Sequence, residues 1–280
     1  MRLVKKLKSM KVLSRLLALF TCFGLIVTVL MLNNKSNEKF FQKRNVNNVV
    51  CHQQMRDWHD YEFMVKEKLR VGLGEQGKEV ILTNPTQIEL NQKTYEQTGF
   101  SVVVSNKISL ERSLPDARAE ECMFKKYLEK LPNVSVVIIF HNEVTSVLLR
   151  SVYSVINRTP SELLHEVILV NDNSTVPELY EPLQAFVKEH FKGKVKIKNL
   201  NERKGLIVTR MEGAKIATGE VLVFFDSHTE VQNNWLPPLL EPIAKNRRLA
   251  TTPTIDNFDP ETFAFQSAGT FGQWMLDSFL

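Results

Sequence analysis

Residues 134–245 predict an α/β fold: a mostly parallel sheet with helices on both faces. Three observations carry this. Short apolar, β-branched runs recur at Val134–Phe140 (VSVVIIF), Glu166–Val170 (EVILV), Val195–Asn199 and Val221–Phe225 (VLVFF). Most of them lack the alternation of a half-exposed strand, as expected of strands buried on both faces. Helix-period stretches separate them, near Ser146–Asn157, Pro177–Phe191 and Leu206–Ala217, with another at about Trp235–Lys245. Strand and helix in regular alternation read as βαβ units.

The chain ahead of this domain divides by composition. Arg2, Lys5, Lys6, Lys8, Lys11 and Arg15 crowd the first fifteen positions with no acid among them. An uncharged run of 17 residues follows, Leu16–Leu32 (LLALFTCFGLIVTVLML). That length is at the short end for a membrane span, and no small-residue cleavage pattern follows it, so residues 16–32 read as a signal-anchor. The positive-inside rule keeps residues 1–15 cytosolic and sends the rest across the membrane, as a single-pass type II protein. Residues 33–98 are largely polar and aperiodic and read as a lumenal stem. Phe100–Leu114 is rich in β-formers and reads as a segment lying across the domain, which runs from residue 99 to 280.

Charge and cysteine use limit the function classes. The formal net charge of +5 is confined to the basic N-terminus; beyond it, basic and acidic residues nearly cancel. No nucleic-acid partner is expected. Cys22 lies in the apolar run, leaving Cys51 and Cys122 for an oxidising lumen. Sequons stand at Asn34, Asn133, Asn157 and Asn173.

In an open parallel sheet, ligands bind beyond the carboxyl ends of the strands. Polar clusters stand at three such ends: His141, Asn142 and Glu143; Asn171, Asp172, Asn173 and Ser174; Asp226, Ser227 and His228. No glycine fingerprint for a dinucleotide follows the first strand and no P-loop exists, which leaves a metal to meet a phosphate. Asp226 and His228 are two apart, so in extended geometry both project to one side, a carboxylate and an imidazole suited to a divalent ion such as Mn²⁺. A chance pair of polar loop residues is the competing reading. Asp172 serves either as an Asx-turn residue or as an acceptor for a ribose or base. His141 either caps its strand or lines the pocket, and Arg203 is either a solvated charge or a phosphate-binding guanidinium.

Several segments in order (SLPDARAEECMFKKYLEKLPNVSVVIIFHNEVTSVLLRSVYSVINRTP, LLHEVILVNDNS, ERKGLIVTRMEGAKIATGEVLVFFDSH and NWLPPLLEPIA) resemble the polypeptide N-acetylgalactosaminyltransferase family from about Gly99 onward. The resemblance implies a Golgi type II enzyme with a GT-A fold. Its reaction moves GalNAc from UDP-N-acetylgalactosamine (UDP-GalNAc) to Ser or Thr of protein acceptors, with retention and with Mn²⁺. Asp226 and His228 match the family's metal-binding pair and Ser227 the residue between them near the donor sugar. His141, Asp172 and Arg203 match residues of the UDP-sugar site.

Departures accompany the match. Asn171 stands where the family has the first of two acids, and Val208 where it has an arginine. The family's third metal ligand, the segment closing over the donor, much of the acceptor groove, the lectin domain and the cysteine expected to pair with Cys122 would all lie beyond Leu280. These 280 residues alone are therefore expected to show little or no transferase activity and marginal stability. A non-catalytic, membrane-anchored relative is the competing reading.

Overall fold

The computed structural model describes residues 54–267. The expected cytoplasmic tail, the apolar run 16–32 and the start of the stem lie outside the described residues. Among those described, no helix is long and apolar enough to cross a membrane.

The chain enters through a two-residue strand β1 (Met55–Arg56), helix α1 (Tyr61–Lys68), helix α2 (Pro85–Thr98) and helix α3 (Val102–Lys107). Each of the three helices starts on a side chain that accepts from the first turn: Asp60, Asn84 and Ser101. Strand β2 (Tyr127–Leu128) pairs antiparallel with β1. Then come β3 (Val134–Phe140), α4 (Thr145–Arg158), β4 (Leu164–Asn171), α5 (Glu181–His190), β5 (Val195–Asn199), α6 (Leu206–Ile216), β6 (Val221–Asp226) and α7 (Leu236–Lys245). A small antiparallel pair, β7 (Asn257–Phe258) with β8 (Phe265–Gln266), closes the described residues.

The central sheet has the order β5-β4-β3-β6, all parallel. Every residue of β3 is buried, because it has a strand on each side and helices on each face. Alternate residues feed two layers. Val136, Ile138 and Phe140 join Leu148 and Val152 of α4, Leu183 of α5 and Leu240 of α7. Val137, Ile139, Ile168 and Val170 face the other way, toward α6. Helices on both faces thus match the expectation. Gly213 lets α6 lie close to the sheet, since a Cβ there would overlap Val137 Cγ1.

Phe100–Leu114, the segment rich in β-formers, contains a helix: Ser101 caps its N-terminus, and Val104 packs with Val80, Ile108, Val147 and Phe263. A cap and a packing partner outweigh the β-propensity of three valines. Residues 54–98, expected as part of a stem, are fastened to the sheet domain. Trp58 is buried and its Nε1 donates to Leu128 O. Glu67 pairs with Arg158 of α4 and accepts from Asn233 Nδ2. Arg158 also donates to Val231 O and Arg112 O, and Arg112 pairs with the buried Glu230 at 2.8 Å. Such inward charges look polar in sequence and are buried only because each meets its partner.

Candidate functional site

Parallel register brings the strand ends level: Phe140 lies opposite Asn171, Ile139 opposite Asp226, and Asn171 opposite Asn199. From β3 the chain builds outward through β4 and β5, then returns to place β6 on the other side of β3. The strand order therefore reverses between β3 and β6, where this class of sheet binds ligands. The segments 141–143 and 226–228 stand there.

The β6 side is one connected group. Glu143 Oε2 accepts from Ser227 Oγ at 2.5 Å and from His228 Nδ1 at 3.2 Å. Its other oxygen accepts from Val144 N at 2.8 Å. Burial pushes the Glu143 carboxyl up, but His228, Ser227 and the Val144 amide outweigh it and hold its pKa below the ordinary range. Burial likewise opposes charge on His228, yet Glu143 and Asp226 bring its pKa above the ordinary 6.5. Asp226 Oδ1 accepts from Arg210 Nη2 of α6 at 3.0 Å. The backbone carbonyl of Ser227 is tied to α4 by Ser151 Oγ at 2.9 Å.

Strand β6 ends at Asp226 and residues 227–228 form a turn, so strand alternation does not govern the pair. Among the described residues, no three His, Cys, Asp or Glu side chains converge to hold a metal ion. Asp226 and His228 offer a carboxylate oxygen and an imidazole nitrogen, a donor set that fits Mn²⁺ when other ligands complete it. Two buried polar atoms beside them, Arg210 Nε and Thr229 Oγ1, have no hydrogen-bond partner among the described residues. Such atoms suit a polar ligand.

The β4 side is a second group. His141 Nδ1 donates to the Asp172 carbonyl at 2.8 Å. The two carboxylate oxygens of Asp172 accept from the amides of Lys204 at 2.7 Å and Gly205 at 2.9 Å, just ahead of α6. Burial pushes the Asp172 carboxyl up, and those two amides bring it below the ordinary range. Asp172 thus holds the loop 201–205 in place. Arg203, on that loop, is exposed. Asn171 is fully buried; its amide donates to Asn199 Oδ1 and its carbonyl accepts from Ser174 N. Sequence reasoning assigned no role to Glu143 or Arg210. The partners of Glu143 lie 84 and 85 residues away, beyond the reach of any local pattern.

Residues 135–279, about half of the chain, match the family described as glycosyl transferase family 2. The chain belongs to glycosyl transferase family 2. Its relatives within that family are polypeptide N-acetylgalactosaminyltransferases. N-acetylgalactosaminyltransferase 4 of Drosophila melanogaster is 49% identical over 217 residues, covering 78% of this chain and 34% of the relative. Polypeptide N-acetylgalactosaminyltransferase 10 of Homo sapiens is 46% identical over 215 residues, covering 77% and 35%. A crystal structure of GalNAc-T7 with UDP, GalNAc and Mn²⁺ superposes with a TM-score of 0.68 at 41% identity, covering 71% of this chain and 37% of that one. The parallel α/β sheet of this family 2 chain is therefore GT-A-like. The chain spans about a third of the length of the curated relatives it matches.

Proposed function

We propose that the site at the β3/β6 reversal binds a UDP-sugar, UDP-GalNAc by the likeness to the relatives, for transfer of GalNAc to Ser or Thr of protein acceptors with retention. The observation that carries it is Asp226–Ser227–His228 at the carboxyl end of β6, beside the point where strand order reverses. Asp226 and His228 would hold Mn²⁺, which when bound offsets charge on a diphosphate. Ser227 lies between them for the donor sugar, and Asp172, through the loop it fixes, His141 and Arg203 form the nucleotide side. The setting is a Golgi membrane protein of type II topology: residues 1–15 cytosolic, 16–32 spanning, and the folded part lumenal.

Calorimetry of UDP-GalNAc binding, with and without Mn²⁺, tests this. Manganese-dependent binding that Asp226→Ala abolishes is the expected result; a folded chain with no binding would overturn it. One observation favours the competing reading of a relative without catalysis. The Arg210 guanidinium already occupies Asp226 Oδ1. Under that reading, UDP-GalNAc would bind equally with and without the metal, or not at all.

A further inference from the structure

Glu143 stands outside every role assigned above, although it is the residue through which the β3 and β6 ends meet. Its side chain is 10% exposed and its Oε2 serves two donors at once, Ser227 Oγ and His228 Nδ1. Its other oxygen takes the Val144 amide, so both oxygens are turned to donors, and an ionised carboxylate only accepts hydrogen bonds. Facing such an acceptor, a neutral His228 ring is expected to carry its proton on Nδ1 and its lone pair on Nε2. The Phe100 ring, 5.5 Å from the imidazole and tilted by 51°, limits the ring's swing. The turn beneath is held by the Ser227 hydroxyl on Glu143 and by the Ser227 carbonyl on Ser151.

We propose that Glu143 is a positioning residue, fixing the tautomer and direction of His228 so that Nε2 is presented to a divalent cation. The proposal rests on the reading of Asp226 and His228 as cation ligands. Its physical content is the general one that a ligating imidazole is aimed by the acceptor on its other nitrogen. Nothing in the local sequence marks Glu143 for this, because the acceptor and the ring come from opposite sides of the strand reversal.

The test begins without metal. In the ¹⁵N-histidine-labelled full chain at mildly alkaline pH, long-range ¹H–¹⁵N correlations report which ring nitrogen carries the proton. The His228 signals are identified by their loss in His228→Gln. We expect the Nδ1–H tautomer in the wild type and in Glu143→Gln, whose amide oxygen can still accept, and loss of that preference in Glu143→Ala. Manganese binding in the presence of UDP, followed by electron paramagnetic resonance, should weaken about 10- to 100-fold in Glu143→Ala and less in Glu143→Gln. An Nε2–H tautomer in the wild type would overturn the proposal even if both Glu143 variants misfolded. Unchanged manganese affinity in a folded Glu143→Ala would do the same. A wild type that shows the Nδ1–H tautomer yet binds no Mn²⁺ would sink the cation-site reading itself, and this proposal with it.

Discussion

At the scale of single residues, the site is organised by side chains that hold other parts of the protein in place. Asp172 is the clearest case, since its two oxygens pin the amides of Lys204 and Gly205. Asp172→Ala should abolish hydrogen-exchange protection at those two amides while leaving β3 and β4 protected; unchanged protection at 204 and 205 would refute the pinning role. Glu166, at the opposite end of the sheet, contributes a pH dependence. Burial pushes its pKa up, but Lys196, the Thr218 amide and hydroxyl, and the Ser135 hydroxyl bring it from 4.5 down to about 2. A depressed folded pKa means the stabilisation is whole above about pH 4.5 and fades as pH falls toward 2. Glu166→Gln should lower stability at neutral pH by about 1–3 kcal/mol and flatten the acid limb of the unfolding curve; an unaltered acid limb would count against this. The sequence showed Asp172, Asp226 and His228 as polar residues at strand ends, and that much was legible. What they bond to was not, because the partners, Glu143 for His228 and Lys204 for Asp172, are distant in the chain.

At the scale of elements, legibility followed burial. The runs Val134–Phe140 and Val195–Asn199 coincide with β3 and β5, and the other two strands extend one or two residues beyond their apolar cores. Continuous apolarity is what a strand covered on both faces requires, so in β3, β4 and β6 the pattern and the fold have the same cause, whereas β5, at the sheet edge, alternates and is only partly buried. The Pro177–Phe191 stretch splits into a 3₁₀ turn (Pro177–Leu179) and α5, with Tyr180 non-helical between them. Helix α3 was missed because its valines favour strands while its cap and its packing favour a helix. Helix α6 supplies a test of which local effect dominates. Alanine is favoured over glycine inside a helix by about 1 kcal/mol. At position 213, however, a methyl group would drive into Val137 and crowd Val170 Cγ2 at 3.1 Å. Overpacking of this kind costs about 1–3 kcal/mol. Gly213→Ala should therefore lower Tm; a rise would mean that α6 shifts freely on the sheet.

At the scale of the whole molecule, the segment 54–98 packs on the domain it precedes. Its polar composition concealed this, for a residue that anchors it is a buried ion, Glu67, matched by Arg158. Removing one partner of such a pair leaves a buried charge uncompensated, at a cost of about 3–5 kcal/mol. Glu67→Ala should destabilise the protein on that scale in denaturant unfolding. The change should match that of Arg158→Ala to within the coupling of the pair; a loss below about 1 kcal/mol would mean the pair behaves like a surface one.

The anchoring reaches further than stability. The loop after His228 is fastened to the entering chain at several points: Glu230 to Arg112, Val231 through Arg158 to Glu67, Asn233 to Glu67, and Asn234 to His59. A tether pulling at residue 54 would load Trp58 and α1 first, and these contacts would carry the force into residues 230–234, directly after the turn at His228. If the site takes the donor proposed for it, tension and binding would then act on one mechanical linkage.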